Sequence, residues 1–98
     1  MHAVVNRVPL AAPIPPAAFS AAERAMPAQA AAVEGLRSVH LIQSERDLFV
    51  VILADDETAI DAFRESFGNE WMRENVVPHA AGPPERVVGE VAASFVRA

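Results

Sequence analysis

Residues 36–54 read Leu-Arg-Ser-Val-His-Leu-Ile-Gln-Ser-Glu-Arg-Asp-Leu-Phe-Val-Val-Ile-Leu-Ala. In the first half Val39 and Leu41 alternate with Ser38, His40 and Ile42, the period of two that a strand imposes on its faces. Ser44-Glu45-Arg46-Asp47 is a polar turn and Leu48 to Leu53 is apolar throughout, so the two halves are predicted to pair as a β-hairpin. A strand that is apolar on both faces needs two covers. Helices can supply one of them, and the source of the other governs the assembly.

Upstream, residues 2–10 fit an extended strand carrying Val4 and Val8, with Pro9 at its end, where a missing N–H costs least. Four prolines within residues 9–16 make a stiff extended connection. From Ala17 onward Phe19, Ala22, Met26, Ala30 and Val33 form one helical stripe, and Gly35 supplies a left-handed stop. Ser20 with Glu23 suits a capping box, whereas Pro16 suits a first-turn position one turn earlier. Pro27 inside this helix removes a hydrogen bond at a cost of roughly 3 kcal/mol, so a kink or break is expected near Met26.

Downstream, Asp55-Asp56-Glu57-Thr58 offers an N-cap and acidic first-turn residues. Ile60, Phe63 and Phe67 follow on one helical face, and Gly68 is expected to end it. Residues 69–84 are expected to form a long connection in which Trp71 sits on a short helical turn through Glu74. The last strand is expected over residues 85–96, with Val87, Gly89, Val91, Ala93 and Phe95 inward.

The order β-α-β-β-α-β predicts an α+β, ferredoxin-like fold: a four-stranded antiparallel sheet with two helices on one face. At 98 residues the chain is expected to be a single domain, residues 1–98. The second sheet face is then open and apolar, and a two-fold homodimer would cover it. The rival reading is that residues 69–84 fold over it within one chain.

A chain that is 52% hydrophobic with net charge -5 is too apolar for disorder and too acidic for phosphate-driven nucleic-acid binding. Without cysteine there is no disulfide, thiolate metal site or thiol nucleophile. The Ala-rich residues 17–33 include Glu23, Arg24, Pro27 and Gln29, so they are not expected to span a bilayer, and with no signal-like start the protein is expected to be cytoplasmic. All basic side chains are arginine, the bias of a GC-rich bacterial genome.

The Val4-Val5-Asn6-Arg7 strand, the hairpin with its apolar second strand, the Asp55-Asp56-Glu57-Thr58-Ala59-Ile60-Asp61-Ala62-Phe63 helix start and the closing strand together resemble the dimeric α+β barrel superfamily. Within it the resemblance is to antibiotic-biosynthesis-monooxygenase-like domains and extends over nearly the whole chain. It implies an obligate homodimer with a cavity between sheet and helices in each protomer, binding a small apolar or aromatic molecule. The activities it implies include cofactor-independent monooxygenation of polyphenols and haem degradation. The haem-degrading branch uses an Asn on strand one, a Trp on helix two and a His beyond it, and Asn6, Trp71 and His79 invite that comparison. Here Phe63 holds the helix-two position of that Trp, and Trp71 follows Gly68.

Four residues are candidates for chemistry, each with a structural alternative. His40, mid-strand, suits a base or ligand in the cavity, or a hydrogen-bonded histidine on the sheet surface. His79 suits an axial ligand or substrate contact, or a solvated loop. Trp71 suits a cavity wall, or a plug of buried aromatic area. Asn6 and Arg7 face opposite ways, and Asn6 is taken as the cavity residue, against a cross-strand hydrogen bond. No cofactor is expected. His2, His40 and His79 lack ligand spacing, although Val39-His40-Leu41 and Ala54-Asp55-Asp56-Glu57 also resemble small nickel-binding ferredoxin-like proteins, which keeps a non-catalytic metal- or ligand-binding module open. A purely structural subunit is the third alternative.

Overall fold

A computed structural model describes residues 1–97. Strand β1 (His2–Pro9) leads through the proline-rich connection to helix α1 (Pro16–Ala31), and β2 (Leu36–Gln43) and β3 (Asp47–Ala54) form the hairpin. Helix α2 (Glu57–Phe63) runs into a π-helical turn (Arg64–Gly68) and then α3 (Asn69–Asn75), and after a 3-10 turn (Val77–His79) the chain closes with β4 (Glu85–Glu90). The sheet is antiparallel in the order β2-β3-β1-β4, the ferredoxin-like arrangement.

Register fixes what each face carries. Val4, Asn6 and Val8 of β1 lie opposite Ile52, Val50 and Leu48 of β3, and Val39 and Leu41 of β2 meet Ile52 and Val50 from the other side. This face receives the helices, and Val4, Val8, Leu48, Ile52, Ile60 and Phe63 are buried in the core. The other face presents Val5 opposite both Val51 and Val87, with Ile42 beside Phe49. It is uncovered: Ile42 is 52% and Val87 66% exposed. Residues 69–84 do not fold over it, because Trp71 packs among the helices and Ala80 bridges to Leu10 at the end of β1.

Helix α1 starts at Pro16, where the absent N–H is one the first turn would leave unbonded. Ser20 is not its cap, and its hydroxyl instead donates to the Pro16 carbonyl at 3.3 Å. The expected break at Met26 is absent. Pro27 lies on the exposed side, so water can reach the Glu23 carbonyl left without a donor, and the helix runs on to Ala31. Gly68 is no terminator either, since its φ of -60° and ψ of -45° are helical. The apolar series Ile60, Phe63, Phe67, Trp71 continues across it, with the Phe63 and Phe67 rings 5.6 Å apart.

The last strand is shorter than expected, and its apolar side chains face the other way. β4 pairs only with β1, and its strand pairing ends at Glu90 opposite His2, beyond which the Val91 N–H donates to the Met1 carbonyl at 2.9 Å. Val87 and Gly89 share the open face with Val5 and Ala3, not the core, and Phe95 is 83% exposed.

Asp56 caps α2 by accepting from the Ala59 N–H at 2.9 Å. Beside it, Arg37 grips Asp55 through two hydrogen bonds of 2.7 and 3.0 Å, which together with the charge hold the guanidinium above its ordinary pKa. Gly35, with φ of +88°, accepts the Asp55 N–H at 2.8 Å and joins the hairpin to this corner. Gly35→Ala puts a side chain in the left-handed region, at a cost of about 1–2 kcal/mol. The expected result is an unfolding midpoint lowered in urea with an unchanged slope.

Candidate functional site

The helix-facing register does more than build the core. Across the sheet order the floor changes character, from Val39 and Leu41 on β2, through Val50 and Ile52 on β3, to Asn6 on β1 and Arg86 on β4. Above this floor lies a cavity of about 340 Å³. Its roof is Met26 of α1 together with Phe63, Phe67 and Trp71 of the long helical stretch.

The π-turn explains why those three aromatics share one wall. Eight residues apart on an α-helix, Phe63 and Trp71 would diverge by about 80°. The wider turn at Arg64–Gly68 takes back part of that rotation, so both rings face the sheet. Trp71 is anchored at both ends: its ring lies 6.0 Å from that of Phe19, and its indole N–H donates to the Ala18 carbonyl at 3.4 Å. It is 8% exposed.

Two of the four sequence candidates meet here. Asn6 lies on the floor and Trp71 in the roof. His40 is directly opposite Val51 on the uncovered face, exposed, because strand alternation groups it with Ser38 and Ile42 and away from Val39 and Leu41. His79 occupies the 3-10 turn, where its main-chain carbonyl accepts from the Ala11 N–H at 2.8 Å, and it is not in the cavity lining. His2 pairs with Glu90, Nδ1 to Oε1 at 2.8 Å, so the three histidines do not converge.

Sequence reasoning missed the arginines. Arg64, Arg73 and Arg86 all border the cavity, and no carboxylate does. Arg86 sits directly opposite Asn6 in the β1–β4 register, a neighbour that becomes visible once the strand pairing is known. The apolar body and polar end are what an organic ligand with one hydrogen-bonding edge requires.

Haem and metal ions fit less well. Neither imidazole, thiolate nor phenolate, the strong axial donors to haem iron, is present in the lining. Among the described residues no group of three His, Cys, Asp or Glu side chains is placed to hold a metal ion.

Against solved structures the chain aligns over nearly its full length. It matches the ActVA-Orf6 monooxygenase of Streptomyces coelicolor, in complex with nanaomycin D, at 16% identity and TM-score 0.70, covering 99% of this chain and 92% of that one. SnoaB, a cofactor-independent oxygenase from Streptomyces nogalater, matches at 14% identity and TM-score 0.63, over 98% and 97% of the two chains. An MhuD variant with two manganese protoporphyrin IX molecules per active site matches at 16% and TM-score 0.59, over 99% and 100%. The chain has the antibiotic-biosynthesis-monooxygenase-like fold. No family model and no curated protein matches its sequence.

Replacing Trp71 with Phe keeps one aromatic ring but removes the indole's second ring and the bond to Ala18. A loss of about 1 kcal/mol is expected, read from chemical denaturation, with the fold retained by circular dichroism.

Proposed function

We propose that this chain is a homodimeric protein that binds a small aromatic molecule in the cavity between sheet and helices, and that it oxygenates that molecule without a cofactor. The observation that carries the reading is the cavity itself, an aromatic roof over a floor with Asn6 at its polar end. Two proteins of the same fold are described as a ligand-bound monooxygenase and a cofactor-independent oxygenase, which supports it. An electron-rich phenol is its own reductant in such a reaction. One oxygen atom of O2 becomes the new quinone carbonyl and the other leaves as water, whose two hydrogens are the ring hydrogen displaced at that carbon and the phenol's own O–H hydrogen. In this reading Phe63, Phe67 and Trp71 hold the ring, and the Asn6 amide donates to the substrate oxygen as negative charge gathers there.

The uncovered face supports the dimer. A compact monomer of this mass exposes about 5,400 Å². This chain, at 10.5 kDa, exposes 6369 Å². The excess of roughly 900 Å² is close to one partner's share of a standard interface, about 800 Å². Val5, Val51 and Val87 form its apolar centre, and beyond β4 Phe95 and Val96, 83% and 85% exposed, extend the surface that a second copy would bury. No helix among the described residues is long and apolar enough to cross a membrane.

Two measurements test this. Sedimentation velocity at micromolar concentration should give a two-chain species, and Val51→Glu, placing a charge at the centre of the face, should give single chains; a monomeric parent protein would overturn the dimer. Titration with 1-naphthol should quench Trp71 fluorescence saturably and, under air, draw down dissolved oxygen. Asn6→Ala should slow that oxygen uptake by about 10²-fold. Saturable quenching without oxygen uptake would leave a binding protein and remove the oxygenase.

A further inference from the structure

The chain carries 13 acidic and 8 basic side chains. Three of the eight arginines, Arg64, Arg73 and Arg86, line the cavity, and none of the thirteen carboxylates does. Arg64 has a local partner in Asp61 at 3.7 Å. Arg73 and Arg86, like Arg24, Arg46 and Arg97 outside the cavity, have no ion pair among the described residues, whereas Arg7 bridges Asp47 and Glu85 and Arg37 grips Asp55.

Each of the two unpaired arginines has a simpler role taken alone. Arg73 sits in the last turn of α3, where a cation suits the helix dipole, and Arg86 lies on an edge strand, where charge discourages sheet-to-sheet pairing. Neither role accounts for the exclusion of carboxylates from the same lining, nor for Arg86 sharing its register position with Asn6. Long-range repulsion by the net charge of -5 does not cancel them either, since at physiological ionic strength it is screened over about 8 Å while the arginines lie in the lining itself. Apolar walls beside the guanidinium groups strengthen their pull on an anion.

We propose that the cavity selects aromatic acids, with the ring against Phe63, Phe67 and Trp71 and the carboxylate between Arg73 and Arg86. This rests on the reading of the cavity as a ligand site and adds the charge of what it takes. The same placement orients the ligand, since only one of its ends can be anionic.

The test is a matched pair of probes, 2-naphthoate and 2-naphthamide, titrated against the intact protein with Trp71 fluorescence as the readout. The two share a ring system and differ in charge. The naphthoate should bind about tenfold tighter, and the ratio should shrink with added salt. In the R73Q/R86Q protein, whose changes are on exposed side chains, the ratio should fall to about one. Equal binding of both probes to the unaltered protein overturns the charge selection and leaves the cavity reading standing. A preference that survives in R73Q/R86Q overturns the assignment to these arginines. Saturable quenching by neither probe overturns the cavity reading beneath it.

Discussion

Along β3, Leu48, Val50, Ile52 and Ala54 alternate with Phe49, Val51 and Leu53, and both sets are apolar. A strand of this kind cannot sit at a water boundary on either side without exposing a row of large side chains. The helices α1, α2 and α3 answer for one row. The other row stands half-buried on the uncovered face, and the assembly proposed for that face follows from it.

That face also bears on the site. Because β1 and β3 are the central strands, any side chain they send toward the helices is held between neighbours on both sides. Asn6 is such a residue, flanked in register by Val50 and Arg86. A polar group held this way loses little further freedom when a ligand arrives, which is the condition for a hydrogen bond that positions a substrate. The aromatic roof is held as firmly, since Trp71 is fixed to α1 through Ala18 and Phe19.

Much of this was legible in the residues. Strand alternation in residues 36–43, the Ser44-to-Asp47 turn, the Asp56 cap and the Gly35 stop each reflect local chemistry, and local chemistry is what a single sequence records. The failures have one physical source. Pro27 was expected to kink or break its helix and Gly68 to end its own on local grounds, but the exposure of one and the apolar series spanning the other are properties of packing. Likewise β4 is defined by its pairing with β1, a partner 80-odd residues away that no local pattern encodes. His40 is instructive in the opposite direction. Its place on the far face was already implied by its alternation with Val39 and Leu41, and chemical appeal as an imidazole outweighed the geometry.

The gradient across the floor then links fold to chemistry. Antiparallel pairing in the order β2-β3-β1-β4 places the hairpin, which had to be apolar to form the core, at one side, and the two terminal strands at the other. β4 is an edge, where a charged residue is tolerated at little cost, and it carries Arg86, while Asn6 lies opposite on the central strand β1. The topology thus brings these two hydrogen-bonding groups together at one end of the cavity, whereas their identity is free to vary. On this argument a protein of the same fold can take a different ligand by changing the residues opposite one another on β1 and β4, with the aromatic roof and the apolar hairpin left as they are.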